Sequence, residues 1–226
     1  MASSVAKPAA ASSTARRILV FGCGYLGSRV AAAAVDSGHQ VWASTRNAAK
    51  GESLRKLGVE PIVADWTDRR TLTGLPEVEQ VLISVSHDPR SKVDRFAGQV
   101  GGLANLLRVL SPECSICYIS TTGVYHQASG RWVDERSPTR PTRAGARMHL
   151  IGENLLHRLR PQSRWTILRL AGLYGPGRIP RIADVRAGRP ITASPDSYLN
   201  LIRVEDAADA VLASCSRSTE RLYVVA

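Results

Sequence analysis

Short apolar runs alternate along the chain with stretches in which apolar positions return every third or fourth residue. The runs read as buried strands: Ile18–Phe21, Gln40–Thr45, Glu60–Ala64, Gln80–Ser86, Ser115–Ser120 and Trp165–Leu170, with Arg221–Ala226 as a last one. Between them, an Ala-rich helix follows Gly27 and ends at Gly38. Val93, Phe96, Val100, Leu103, Leu107 and Leu110 mark a second helix with one buried face. Met148, Ile151, Leu155 and Leu159 mark a third, and Gly172–Gly177 reads as a loop. Strands alternating with helices predict βαβ units, and hence an α/β chain with a doubly wound parallel sheet.

The first strand stops at Gly22-Cys23-Gly24-Tyr25-Leu26-Gly27, and a helix begins there. This is G-x-G-x-x-G in the setting where it carries meaning, between a strand and a helix. Gly22 permits the tight turn, Gly24 lets a pyrophosphate approach the backbone, and Gly27 lets helix and strand pack closely. The first helical amides lack intrahelical acceptors and lie at the positive end of the helix dipole, so a diphosphate is held without a cationic side chain. A glycine-rich turn that binds nothing is the plain alternative.

About 20 residues further on, an acidic residue would receive the ribose 2′-hydroxyl of NAD. The end of the second strand instead carries Ser44, Thr45, Arg46 and Asn47. A carboxylate would repel a 2′-phosphate, whereas Arg46 can pair with one and Thr45 can donate to it, which favours NADP with NAD as the alternative. Asp65, with Trp66 beside it, ends the third strand where adenine would lie; a helix N-cap is its structural role. Ser84, Val85 and Ser86 end the fourth strand, at the point where the strand order reverses and ligands bind.

Composition narrows the class. A chain of 226 residues suits one substantial domain, and 44% apolar with 22% charged residues is ordinary for a soluble globular protein. No apolar run reaches the length of a membrane span. The net charge is +11, but the basic residues are scattered among acids rather than grouped with aromatics, which speaks against nucleic acid and suits an anionic small molecule. Cys114 and Cys117 have C-x-x-C spacing without a second pair or a nearby histidine, so no metal is expected and cysteine serves as a small core residue. Met1–Ala15 has no signal-peptide core, and residues 1–16 read as a disordered tail. A reducing, cytoplasmic setting fits best.

Several motifs together resemble one family. They are the glycine turn, Asp65, Tyr118-Ile119-Ser120-Thr121-Thr122-Gly123-Val124-Tyr125, Val133-Asp134-Glu135 with Ser137-Pro138, Leu168-Arg169-Leu170-Ala171-Gly172-Leu173-Tyr174-Gly175-Pro176-Gly177 and Ile202-Arg203-Val204-Glu205-Asp206. From Arg17 onward the chain resembles the NAD-dependent epimerase/dehydratase family, the extended short-chain dehydrogenase/reductases. The resemblance implies an NAD(P)-binding Rossmann domain over 17–226 with about seven strands. It also implies a small C-terminal substrate lobe to which 177–200 contribute, and places Leu170 and Leu173 beside the cofactor. Members continue beyond a strand like Arg221–Ala226, so this chain either ends short or has an unusually open pocket.

The family's chemistry uses a serine or threonine and a Tyr-x-x-x-Lys pair, the lysine lowering the tyrosine pKa while hydride moves to or from the cofactor. Thr121 matches the first. In register, Gly145 stands for the tyrosine and His149 for the lysine, and the chain's four lysines (Lys7, Lys50, Lys56, Lys92) lie elsewhere. Thr121 and His149 are therefore the candidate catalytic residues; the plainer readings are a strand-end hydroxyl and a helix histidine without a role. Two functions stay open: an oxidoreductase or isomerase on a nucleotide-sugar-like or other hydroxyl/carbonyl substrate, or a non-catalytic NADP(H) sensor. The expected partner is a small-molecule substrate or ligand, with a homodimer left open.

Overall fold

The computed structural model describes residues 15–127, 130–192, 196–217 and 221–226, without the side chains of 216 and 217. The expectation of a disordered tail lies, up to residue 14, outside the described residues. Strands β1 (Arg17–Phe21), β2 (Gln40–Thr45), β3 (Glu60–Val63), β4 (Gln80–Ile83), β5 (Ser115–Thr121), β6 (Trp165–Leu170) and, at the end, β9 (Leu222–Val225) form one sheet. Its order is β3-β2-β1-β4-β5-β6-β9 and all pairings are parallel. The expected seven-stranded, doubly wound sheet is present, with the strand order reversing between β1 and β4.

Helices cover both faces. Helix α1 (Gly27–Asp36) and α6 (Val204–Arg217) pack on one side around Val20, Val30, Leu82, Val204 and Val211. On the other side α3 (Gly102–Val109) and α4 (Ala144–Leu159) pack around Leu19, Val81, Ile83, Leu103, Leu107, Ile116 and Leu156. The α2 helix (Gly51–Arg55) joins β2 to β3, and α5 (Ile182–Arg186) lies in the 177–200 segment. Ile179, Val185, Ile191, Tyr198 and Leu199 of that segment are exposed.

Four expectations change. The loop at Gly172–Gly177 begins with a short strand, β7 (Gly172–Tyr174), parallel to β8 (Leu201–Arg203). Three residues bounded by glycine carry no readable period, and their partner is non-local. Strands β3, β4 and β9 are also shorter than expected: β4 stops at Ile83, although the Ser84 amide still donates to the Phe21 carbonyl at 2.9 Å.

The helix expected over Lys92–Leu110 starts later, with a π turn at Ala97–Gly101, and Phe96 is 54% exposed rather than buried. Asp94 closes that start by accepting from the amides of Phe96 and Ala97. On α4, the buried side is Ala146, Gly152, Glu153 and Leu156, while Met148, Ile151, Leu155 and Leu159 are only half-buried. Gly152 makes this packing: a Cβ there would stand 2.5 Å from the Tyr118 hydroxyl.

The C-x-x-C spacing does not pair its cysteines. All four thiols are free, and Cys117 Sγ accepts from Ser214 Oγ of α6 at 3.5 Å. No cluster that could hold a metal ion exists among the described residues.

Candidate functional site

At the carboxyl ends of β1 and β4, the glycine turn is built as its spacing requires. Gly22 has φ +101°, a region L side chains avoid, and a Cβ on it would stand 2.7 Å from the Ser84 carbonyl carbon. A Cβ on Gly27 would meet the Gly22 carbonyl oxygen at 2.3 Å. Gly24 is different: nothing lies within 4 Å of where its Cβ would be. Gly22 and Gly27 therefore serve packing, and Gly24 faces open space in front of α1. The Gly22 amide donates to Ser44 Oγ at 3.0 Å and its carbonyl accepts from Ser84 Oγ at 2.7 Å, so β2 and β4 hold the turn from both sides. The amides of Tyr25, Leu26 and Gly27 have no acceptor among the described residues.

In front of the turn lies a cavity of about 250 Å³. Of the expected cofactor residues, Gly22, Gly24, Thr45, Arg46, Asp65, Trp66, Ser84, Val85 and Ser86 line it. Leu26 is a core residue, and Tyr25 turns its ring away, its hydroxyl donating to the Pro176 carbonyl at 3.2 Å. Neither residue lines the cavity. Leu170 and Leu173 pack in the α1/α6 core and are not brought to this cavity. Asp65 accepts from the amide and hydroxyl of Thr67, and the N-cap foreseen for it falls to Asp68, whose side chain accepts from the Arg70 amide. Trp66 stacks on Phe21 with ring centroids 6.0 Å apart, and Gly102 leaves room for it.

Among the lining residues that sequence reasoning missed, Asp88 and Gln99 carry chemistry. Asp88 pairs with Arg46 at 2.9 Å across the cavity mouth. Gln99 is buried, and its Oε1 has no hydrogen-bond partner. Neither belongs to a readable motif.

Beyond the cavity, β5 and α4 carry the two candidate catalytic residues. Thr121 caps the turn that follows β5, its Oγ1 accepting from the Gly123 amide at 3.1 Å. His149 faces β5, with Nδ1 3.2 Å from the Tyr118 hydroxyl. Beneath them a buried network ties three elements. Arg169 of β6 makes two bonds to Glu153 of α4, at 2.7 and 3.1 Å, and donates to the Tyr125 hydroxyl at 2.7 Å. Ser120 Oγ completes it with a 2.5 Å bond to Glu153. Tyr125 is thus a packing residue, held by Arg169. At Gly145 no side chain enters the site; a Cβ there would stand 3.0 Å from Arg95 Nη1.

Burial holds the His149 pKa below its ordinary value; the Glu153 carboxylate opposes this and the Arg95 charge adds to it. The unfolded chain therefore binds the proton more readily than the folded one, and stability falls as pH drops below about 6.5. The slope for one such group is at most about 1.4 kcal/mol per pH unit. Urea unfolding between about pH 5 and 7 is expected to show this decline, with a flatter profile for His149→Gln; equal slopes would contradict it.

A parallel sheet with a glycine turn, free helical amides and a cavity at the strand-order reversal defines a doubly wound α/β protein of the Rossmann type. Residues 18–226 match the NAD dependent epimerase/dehydratase family. The chain belongs to that family. It is 30% identical to Protein YeeZ of Escherichia coli (strain K12) over 212 residues, 87% of this chain and 72% of that protein. A functionally unknown conserved protein from Silicibacter pomeroyi DSS is 28% identical, with a TM-score of 0.67, covering 93% of this chain and 71% of the other. The UDP-glucuronic acid 4-epimerase from Bacillus cereus, solved in complex with UDP-glucuronic acid and NAD, shares the fold at 21% identity and a TM-score of 0.71, over 92% and 76% of the two chains. No helix among the described residues is long and apolar enough to cross a membrane.

Proposed function

We propose that this chain binds NADP, with NAD as the weaker alternative, and acts in the cytoplasm as an oxidoreductase or isomerase on a nucleotide-sugar-like or other hydroxyl/carbonyl substrate. The observation that carries the reading is the open space at Gly24 beside the unpaired amides of Tyr25, Leu26 and Gly27. A diphosphate fits there because its oxygens accept what those amides have to donate. Trp66 and Asp65 would bound the adenine end of the cavity. When bound, the nicotinamide supplies hydride chemistry. Thr121 would hydrogen-bond the substrate oxygen, and His149, held neutral by burial, would hold or take a proton at its free ring nitrogen.

Arg46 supports the 2′-phosphate preference. Its side chain is 56% exposed at the cavity mouth, and Asp88 is its resident partner. A phosphate dianion offers Arg46 more charge than Asp88 does. Arg46→Ala is expected to weaken NADP binding about tenfold or more, with little change for NAD. Asp88→Asn is expected to act the other way, and fluorescence titration with NADPH and NADH reads both. Equal losses for the two dinucleotides would remove the preference.

A second reading rests on Gly145 and His149 standing where the family has tyrosine and lysine. On it the chain is a non-catalytic NADP(H) sensor. Absorbance of NADPH over a panel of aldehydes, ketones and nucleotide sugars separates the two. Turnover that His149→Ala or Thr121→Ala abolishes supports catalysis; tight binding with no turnover supports the sensor.

A further inference from the structure

We propose that Arg95 anchors an anionic group, a carboxylate or a phosphate, of the ligand that shares the site with the dinucleotide. The inference rests on the reading above and names the chemical class of that second ligand. Three independent observations carry it.

The first is the space that Arg95 fills. Its Nη1 lies 3.0 Å from where a Gly145 Cβ would stand, in the path a side chain at that position would take. Glycine at 145 thus leaves the guanidinium room in this position, and a side chain there would require it to shift. Thr121 borders the same corner, since a Cβ on its neighbour Gly123 would meet both Thr121 Oγ1, at 3.4 Å, and the Ala146 methyl, at 3.5 Å.

The second is the missing counter-charge. Arg95 is half-buried, yet it makes no hydrogen bond or ion pair among the described residues. Other arginines that are not fully exposed are occupied. Arg29 holds Glu205 and the Tyr25 carbonyl, Arg160 holds the carbonyls of Leu107 and Leu110, and Arg169 holds Glu153. The adjacent carboxylate, Asp94, is turned to the amides of Phe96 and Ala97. A partly shielded guanidinium without an acceptor favours an incoming anion, ideally one that takes two parallel N–H bonds.

The third is position. Ser91 and Val93 just before Arg95, and Gly98 and Gln99 just after it, line the dinucleotide cavity. The π turn at Ala97–Gly101 follows directly, a helix irregularity that recurs at functional sites. His149 feels the Arg95 charge from one side, with Tyr118 of β5 and Glu153 of α4 as the other groups that act on it. An anion on Arg95 would cancel part of that charge, so the imidazole reports its arrival.

The test uses the full chain saturated with NADP⁺, titrated with malonate, inorganic phosphate or, at matched ionic strength, chloride, while carbon-labelled histidine is followed by NMR. One of the two multivalent anions is expected to shift the His149 signal saturably and raise its apparent pKa. Malonate acting alone identifies a carboxylate ligand, and phosphate acting alone a phosphorylated one. Arg95→Gln should weaken that binding at least about tenfold, and Arg95→Lys should restore part of it. NADP⁺ binding at the glycine turn should be unchanged in both variants. No saturable shift with either anion, or binding that survives Arg95→Gln, overturns the proposal. If NADP⁺ itself does not bind, the dinucleotide reading fails, and the same titration without it still decides the role of Arg95.

Discussion

Gly24→Val is expected to leave the chain folded and to cost at least a hundredfold in dinucleotide affinity. The two halves of this result have separate causes. Nothing lies within 4 Å of the missing Cβ, and Gly24 has no positive φ, so a side chain there meets neither protein atoms nor backbone strain. The same open space is what a pyrophosphate needs to reach the amides of the first helical turn, and a valine side chain would stand in it. A loss of two to three charge-assisted hydrogen bonds, each worth about 1.5–3 kcal/mol, gives the factor. Gly27→Ala makes the contrast. Its Cβ would lie 2.3 Å from the Gly22 carbonyl oxygen, so the turn or the helix must shift, and stability should fall with affinity. Thermal unfolding beside a binding titration separates the variants; a Gly24→Val chain that binds as the parent does would contradict the placement of the diphosphate.

Glu153→Ala is expected to lower the unfolding free energy by about 3–5 kcal/mol, the cost of leaving a buried charge without its partner. The Arg169 and Glu153 side chains are 7% and 5% exposed, and the pair also orients Tyr125 and Ser120. Removing the carboxylate strands the Arg169 guanidinium between β5, β6 and α4. The double variant Glu153→Leu with Arg169→Met should recover much of the loss, because paired removal leaves no orphan charge. Chemical denaturation of the two variants checks this, and a single variant within about 0.5 kcal/mol of the parent would mean that the network is dispensable.

These two sites differ in how far the sequence discloses them. The glycine turn is legible because its signal is local: strand, turn and helix lie within one short stretch, and each glycine has a steric reason to be there. The sheet is legible for a similar reason, since strands buried on both faces read as continuous apolar runs. Glu153 and Arg169 are harder to read. Each looks like one more charge on an amphipathic element, and only the packing of α4 on the sheet at β5, beside β6, shows that both are buried. The apolar stripe of α4 misleads in the same way, since Gly152 and Glu153, not Met148 or Leu155, face the sheet.

Non-local pairing hides the remaining features. The β7 and β8 strands are three residues each and meet only after an excursion through 177–200. Register against the family singles out Thr121 and His149 as candidates. That His149 bonds Tyr118, and that Arg95 stands at Gly145, depends on how closely a helix and a loop approach. A lone arginine in a polar segment carries no pattern that would betray it.

Isothermal calorimetry on the folded chain with NADPH and NADH tests the central claim most directly. The account predicts saturable heat at one site per chain, stronger for NADPH and lost in Gly24→Val. No heat with either dinucleotide, from protein whose cooperative unfolding is intact, would contradict it.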